Sequence, residues 1–124
     1  MKHLVILKKP YFNMILKKEK TIESRWSIHK IAPYNKVNIG DTLYLKETGK
    51  NVYYKAKCSD VKFFELNKET VDMIKEKYNE HIKIKDFSEC YNKNYCTLVW
   101  ISNIEKISEM KVKRSNGAGW IIMN

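Results

Sequence analysis

The sequence is short of most features that would place it outside an ordinary small domain. No apolar run approaches the ~20 residues that cross a bilayer, so no membrane span is expected. The opening "HLVIL" is five residues long and is followed at once by "KKP". It is too short for a signal-peptide core and has no small-residue cleavage site after it, so a cytoplasmic protein is expected. There are three cysteines, Cys58, Cys90 and Cys96, and no pair has the spacing of a zinc knuckle. The three histidines, His3, His29 and His81, are scattered. No metal site and no cofactor is expected, and the cysteines read as buried or half-buried free thiols. Repeats, low-complexity tracts and linkers are absent, so the 124 residues read as one domain, 1–124.

Acidic residues are also scarce. Lys and Arg number 24 against 14 Asp and Glu, for a net charge of +10. The excess is uneven: residues 1–62 hold 14 basic and 5 acidic residues, whereas 63–124 hold 10 and 9. An asymmetric basic face is the electrostatic footprint of a polyanion ligand, most often nucleic acid. A generally lysine-rich proteome gives the same excess, and charge alone does not separate the two readings.

The hydrophobic pattern defines the elements. "HLVIL" reads as a first strand. "PYFNMILKK" reads as a helix with Pro10 at its first position, Tyr11, Met14 and Ile15 on one face, and Lys17 and Lys18 near its C-terminal dipole. "EKTIESRW" reads as a strand with Thr21, Glu23 and Arg25 on one face and Ile22, Ser24 and Trp26 on the other. A loop with Pro33 and the turn Gly40-Asp41 leads to "TLYLKE", which hairpins through "TGKN" to "VYYKAKC". In that strand Val52, Tyr54, Ala56 and Cys58 point inward, and Tyr53, Lys55 and Lys57 outward. The phase slips at Ser59-Asp60, where Val61 and Phe63 take over, which implies a bulge or bend. Asn67 caps a helix to about Glu80 with Val71, Ile74 and Tyr78 apolar. "KIKDFSECYNKN" is irregular or a short helical turn. "YCTLVWI" is a central strand, "IEKISEMKVKR" an extended segment, "SNGAG" a turn and "WIIM" a last strand. These elements describe an α+β domain, a small closed barrel of about six strands with two or three short helices.

"KKEKTIESR" resembles the signature of the ASCH (activating-signal-cointegrator homology) domain, a branch of the PUA-like superfamily, whose pattern is G-x-K-x-x-E-x-R. Lys20, Glu23 and Arg25 match it, and Lys18 stands at the glycine position. "KPY", "APYNKVNIGDTLYLKE", "YCTLVWI" and "GWIIM" extend the resemblance over essentially the whole chain. The resemblance implies a PUA-like barrel of five or six strands with a cleft beside the motif. It also implies RNA or a nucleotide-like ligand as partner. Some relatives are reported as nucleases, and a small branch deacylates acetylated cytidine but carries threonine at the position of Glu23.

The motif residues admit two uses. Glu23 and Arg25 either form a half-buried ion pair that orders the barrel rim, or Glu23 orients Arg25 toward a phosphate or base edge. The composition alone favours the first, and with the resemblance the second is favoured. Lys20 is expected to be solvated and charged, since Glu23 would raise its pKa. In an enzyme Glu23 would be the general base, with Lys20 or Arg25 stabilising an anionic transition state. Trp26, Tyr34, Tyr44, Tyr53, Trp100 and Trp120 are candidates for base stacking. Trp100 and Trp120 are assigned to packing, while Tyr44 and Tyr53, interleaved with Lys46, Lys55 and Lys57, form the better nucleic-acid surface. The alternative is that those rings cover lysine stems. His29 is expected to be exposed. The resulting expectation is RNA or nucleotide binding in a basic cleft built from Lys20, Glu23, Arg25, Trp26, Tyr44, Lys46, Tyr53 and Lys55. A metal-independent hydrolase acting on RNA or an acylated nucleoside in the same cleft is the alternative, and a protein-interaction module is a second alternative. The oligomeric state is left open.

Overall fold

A computed structural model describes residues 1–113 and 117–123. Six strands and two helices follow in the order β1 (Lys2–Leu7), α1 (Lys9–Leu16), β2 (Ile22–Ser27), β3 (Thr42–Glu47), β4 (Val52–Glu65), α2 (Lys68–Ile82), a 3-10 turn (Ser88–Asn92), β5 (Tyr95–Met110) and β6 (Trp120–Met123). All six strands form one sheet in the order β2-β5-β4-β3-β1-β6, curled into a half-barrel. This is the expected α+β, PUA-like architecture, with one difference. The backbone does not close the barrel: β2 and β6 are the two ends of the sheet.

The alternation of "TLYLKE" and "VYYKAKC" emerges as expected, with Leu43, Leu45, Val52, Ala56 and Cys58 buried. They pack with Val5, Leu7, Val99 and Trp120 as the barrel core. The phase slip at Ser59-Asp60 is a register shift between Cys58 and Asp60 in the β4–β5 ladder. Bends of this kind let a 14-residue strand and its 16-residue partner wrap the core. "YCTLVWI" and "IEKISEM" are one continuous strand. The turn expected in "SNGAG" includes Ser115 and Asn116, which lie outside the described residues. Cys58, Cys90 and Cys96 are free and buried, and burial, with Asp41 nearby, pushes the Cys58 thiol up to about 11.

The second helix confirms its cap: the Asn67 side chain accepts from the Thr70 N–H. Val71, Ile74 and Tyr78 are buried as expected, and the helix continues two residues past Glu80 to bury Ile82. Ile22, Ile74, Ile82, Cys96 and Leu98 form a second core on the outer face of the sheet. In α1 the buried positions are Phe12 and Ile15, so the expected stripe of Tyr11, Met14 and Ile15 is turned by one residue. Pro10 stands at the second helical position, after Lys9, and its missing N–H belongs to the first turn, where no intrahelical acceptor is needed.

Without a motif glycine, α1 ends through Lys18, which adopts φ 62°. The Glu19 N–H bonds to the Met14 carbonyl at 2.9 Å and the Lys18 N–H to the Ile15 carbonyl at 3.0 Å. This pair of bonds is the Schellman termination, formed here with a lysine in the left-handed region that glycine normally occupies. The chain therefore turns as the glycine would turn it and delivers Lys20 to the start of β2. Lys18→Gly is expected to raise stability by ~0.5–1 kcal/mol, the relief of left-handed strain less the extra entropy that glycine loses on folding. Urea unfolding midpoints check this, and a lower midpoint for the variant would refute it.

Candidate functional site

The three motif side chains meet at the open side of the half-barrel. Thr21, Glu23 and Arg25 were expected on one strand face, and the structure brings Glu23 and Arg25 together across it. Arg25 Nε donates to Glu23 Oε2 at 2.8 Å, and Arg25 Nη2 lies 2.8 Å from the same oxygen. The guanidinium then reaches across the gap in the sheet. Nη1 donates to the Gly119 carbonyl and Nη2 to the Ile6 carbonyl, each at 2.8 Å. One side chain on β2 thus bonds to β1 and to the residue before β6. A Cβ on Gly119 would stand 2.7 Å from Arg25 Nη1, so a larger residue there would push the guanidinium aside.

Lys20 lies beneath this pair and is sealed, with 2% of its surface exposed. Its ammonium donates to the Ile22 carbonyl at 2.7 Å and to the Ile82 carbonyl at 2.5 Å, and it stands 3.3 Å from Glu23 Oε1. Ile82 is the last residue of α2, so Lys20 satisfies one of the carbonyls a helix end leaves open. The expectation of a solvated lysine with a raised pKa is corrected here. Burial lowers the Lys20 pKa below its ordinary 10.5, and the attraction of Glu23 offsets this only in part.

Behind Arg25 runs a buried chain of polar contacts. The guanidinium carbon sits 5.4 Å from the centre of the Trp120 ring. Trp120 Nε1 donates to His3 Nδ1 at 3.1 Å, and His3 Nε2 meets Asp41 Oδ2 at 2.8 Å. An indole N–H only donates, so His3 Nδ1 is the bare nitrogen and Nε2 carries the proton to Asp41. Burial raises the Asp41 pKa, but the Asn38 N–H, His3 and the Met1 ammonium together outweigh it and hold the carboxyl below its ordinary value.

In front of the pair lies an open cleft of about 490 Å³. Glu23 and Arg25 line it with Ile6, Lys8, Tyr11 and Thr48, and the Gly117–Gly119 backbone forms one wall. A smaller cavity of about 160 Å³ lies against Trp26, Pro33, Thr97 and Trp120. Arg25 and Gly119 line both spaces and stand between them.

Of the residues expected to form the site, Glu23 and Arg25 reach the cleft and Lys20 supports them from below. The others lie elsewhere. The Trp26 ring faces the outer core, edge-on to Phe87 at 6.0 Å, with its N–H on Ser24 Oγ. This is the face that strand alternation assigns it, opposite Glu23 and Arg25. Tyr34, also weighed for stacking, is buried against Phe63 and Tyr95. Tyr44 pairs with Lys55 across β3 and β4, and Lys55 is bound to Glu105 at 3.2 Å. Lys46 is half-buried opposite Val52. Tyr53 lines a separate depression with Phe12 of α1 and Lys50 of the β3–β4 turn. Trp120 is buried and Trp100 packs edge-on against Tyr78, which agrees with their assignment to packing. His29 is exposed. Sequence reasoning missed Lys8, Tyr11 and Thr48, which come to the cleft only because β1 pairs in parallel with β3. It also missed Gly119, whose signal was a glycine directly before the last strand.

No family model matches the chain, and no curated protein does. Solved structures do. The ASCH protein of Zymomonas mobilis superposes with a TM-score of 0.72 at 12% identity, covering 99% of this chain and 87% of that one. A tyrosine-to-phenylalanine variant of the same protein gives 0.75 at 11% identity, with 99% and 90% covered. The fold is that of an ASCH domain. A hypothetical protein, PH0355, shares the fold more distantly, with a TM-score of 0.59 at 18% identity over 86% of this chain and 100% of that one. Among the described residues, no helix is long and apolar enough to cross a membrane.

The Lys20–Glu23–Arg25 arrangement makes a test of stability. Glu23→Gln leaves the sealed ammonium of Lys20 without its counter-charge and is expected to cost ~3–5 kcal/mol. Lys20→Met leaves Glu23 paired with Arg25 and is expected to cost less. The difference between wild type and Lys20→Met should also depend on pH. An unfolded chain holds the Lys20 proton up to about 10.5, whereas the folded chain releases it earlier. Between the lowered value and 10.5 the unfolded state binds more protons, so wild-type stability rises with pH. Lys20→Met lacks that rise, and the gap between the two proteins widens as pH climbs towards 10.5. Chemical denaturation from pH 7 to pH 10 checks both points, and a gap that narrows would refute the second.

Proposed function

We propose that the cleft binds one nucleotide unit, free or within an RNA chain. The observation that carries this reading is the cleft of about 490 Å³ lined by Glu23, Arg25, Lys8 and Tyr11. Its volume falls in the range of small-molecule sites. A fixed carboxylate accepts hydrogen bonds from base amino groups, as acidic side chains do at cytosine N4. The Tyr11 ring offers a stacking surface, and the exposed Lys8 ammonium offers a phosphate contact. The basic excess of residues 1–62 adds long-range attraction for a polyanion. Hydrolysis in the same cleft is less favoured, because the two expected stabilisers are already engaged: Lys20 bonds to the Ile22 and Ile82 carbonyls and pairs with Glu23, and Arg25 bonds to Glu23 and the Ile6 and Gly119 carbonyls.

Titration of short RNAs at several salt concentrations tests the reading. Affinity should fall with salt. Lys8→Ala should weaken binding several-fold and reduce the salt slope by about 1. Lys68→Ala, on α2 and paired with Asp72, serves as a charge-matched control and should change binding much less. Equal losses in the two variants would count against the cleft as the binding site.

A further inference from the structure

Tyr53 is the exposed aromatic that strand pairing leaves over. Against β3, Leu45 faces Tyr54 and Lys46 faces Val52, so Tyr53 has no partner. Against β5, Val52 faces Met110 and Tyr54 faces Lys106, and Tyr53 is skipped again. Against β3 it is the extra residue of a bulge, and against β5 it stands opposite the three residues 107–109, where the ladder is irregular. A bulge re-aims a side chain and is over-represented beside functional sites. The re-aimed ring is 38% exposed, yet it is fixed. Its hydroxyl donates to Glu109 Oε2 at 2.7 Å, and the same oxygen accepts from Asn51 Nδ2 at 2.9 Å.

The ring borders a depression of about 260 Å³ shared with Phe12 and Tyr54, whose own rings meet edge-on at 6.0 Å. Lys50 and Lys106 supply cations at its rim, with Glu47 also present. The depression is next to the cleft. Tyr11 and Thr48 line the cleft, and their chain neighbours Phe12 and Glu47 line the depression. The start of α1 and the end of β3 are therefore a ridge with a pocket on either side. A pinned aromatic face that shares its depression with Lys50 and Lys106, beside the carboxylates of Glu47 and Glu109, offers a base a π-face and a phosphate two cations.

We infer that Tyr53, with Lys50 and Lys106, forms a second base-stacking subsite. The ligand is then a single-stranded RNA that places one nucleotide in the cleft and a neighbouring nucleotide on Tyr53 across the ridge. This rests on the nucleotide reading of the cleft and extends it from a mononucleotide to a strand.

Isothermal titration with adenosine 5′-monophosphate and with a tetra-adenylate RNA tests the inference. The tetranucleotide should bind more tightly than the monophosphate. Tyr53→Ala should weaken the tetranucleotide by roughly 5- to 150-fold, the range of one lost stacking contact, and leave the monophosphate unchanged. Tyr53→Phe keeps the ring and should keep most of the affinity. Lys50→Glu, on the exposed turn, should weaken the tetranucleotide without touching the ring. Tetranucleotide binding that is lost in Lys8→Ala but intact in Tyr53→Ala and Lys50→Glu would overturn the subsite and leave the cleft standing. Binding that depends on Tyr53 and Lys50 but not on Lys8 would keep the stacking surface and overturn the cleft. Equal loss in Tyr53→Phe and Tyr53→Ala would assign the effect to the Glu109 bond and overturn stacking. No binding of either probe by wild type would overturn both readings.

Discussion

One guanidinium ties the two ends of the sheet together. Arg25 stands on an end strand of a sheet that does not close on itself, and it bonds to two carbonyls at the other end, those of Ile6 and Gly119. A planar group with donors in a fixed fork can do this while also holding a carboxylate edge-on. Glu23 is that carboxylate, and Lys20 is the cation that balances its second oxygen from below. Each of the three would be costly to bury alone. Together they satisfy one another, the two ends of the sheet and the last carbonyl of α2.

The same bonds set the chemistry in front of them. A lone carboxylate at the edge of a cleft would repel a phosphate, but Glu23 is flanked by a cation on each oxygen and so offers directional acceptors rather than a bare charge. The alternatives posed by the sequence, an ordering ion pair or a ligand-orienting one, are therefore not exclusive. The pair orders the seam, and by ordering it presents its outer edge to the cleft. The Arg25 face turned away from the cleft rests on Trp120, which His3 and Asp41 fix in turn.

The fold was legible because its signals are local. Alternation marked β3 and β4, Asn67 marked the start of α2, and the phase slip at Ser59-Asp60 marked a bend. The motif also placed Glu23 and Arg25 on one strand face. What was not legible depends on pairings between distant segments. Lys8, Tyr11 and Thr48 share a cleft because β1 lies parallel to β3. Lys20 is sealed because Ile82, 62 residues away, brings a carbonyl to it. Tyr44 and Lys55 do pair across β3 and β4, but neither lines the cleft, which alternation along a single strand could not reveal. Lys18 hid the end of α1, since nothing in a lysine announces a left-handed turn.

A seam held by side-chain donors differs in kind from one held by a ladder. β2 pairs with β5, and β6 with β1, so releasing Arg25 from Ile6 and Gly119 breaks no strand pairing. The seam is thus held by side-chain bonds that are separate from the ladders of the sheet. Arg25 and Gly119 are also the wall shared by the cleft and the smaller cavity against Trp26, Pro33 and Trp120. The rotamer of one arginine therefore sets part of the boundary of both spaces.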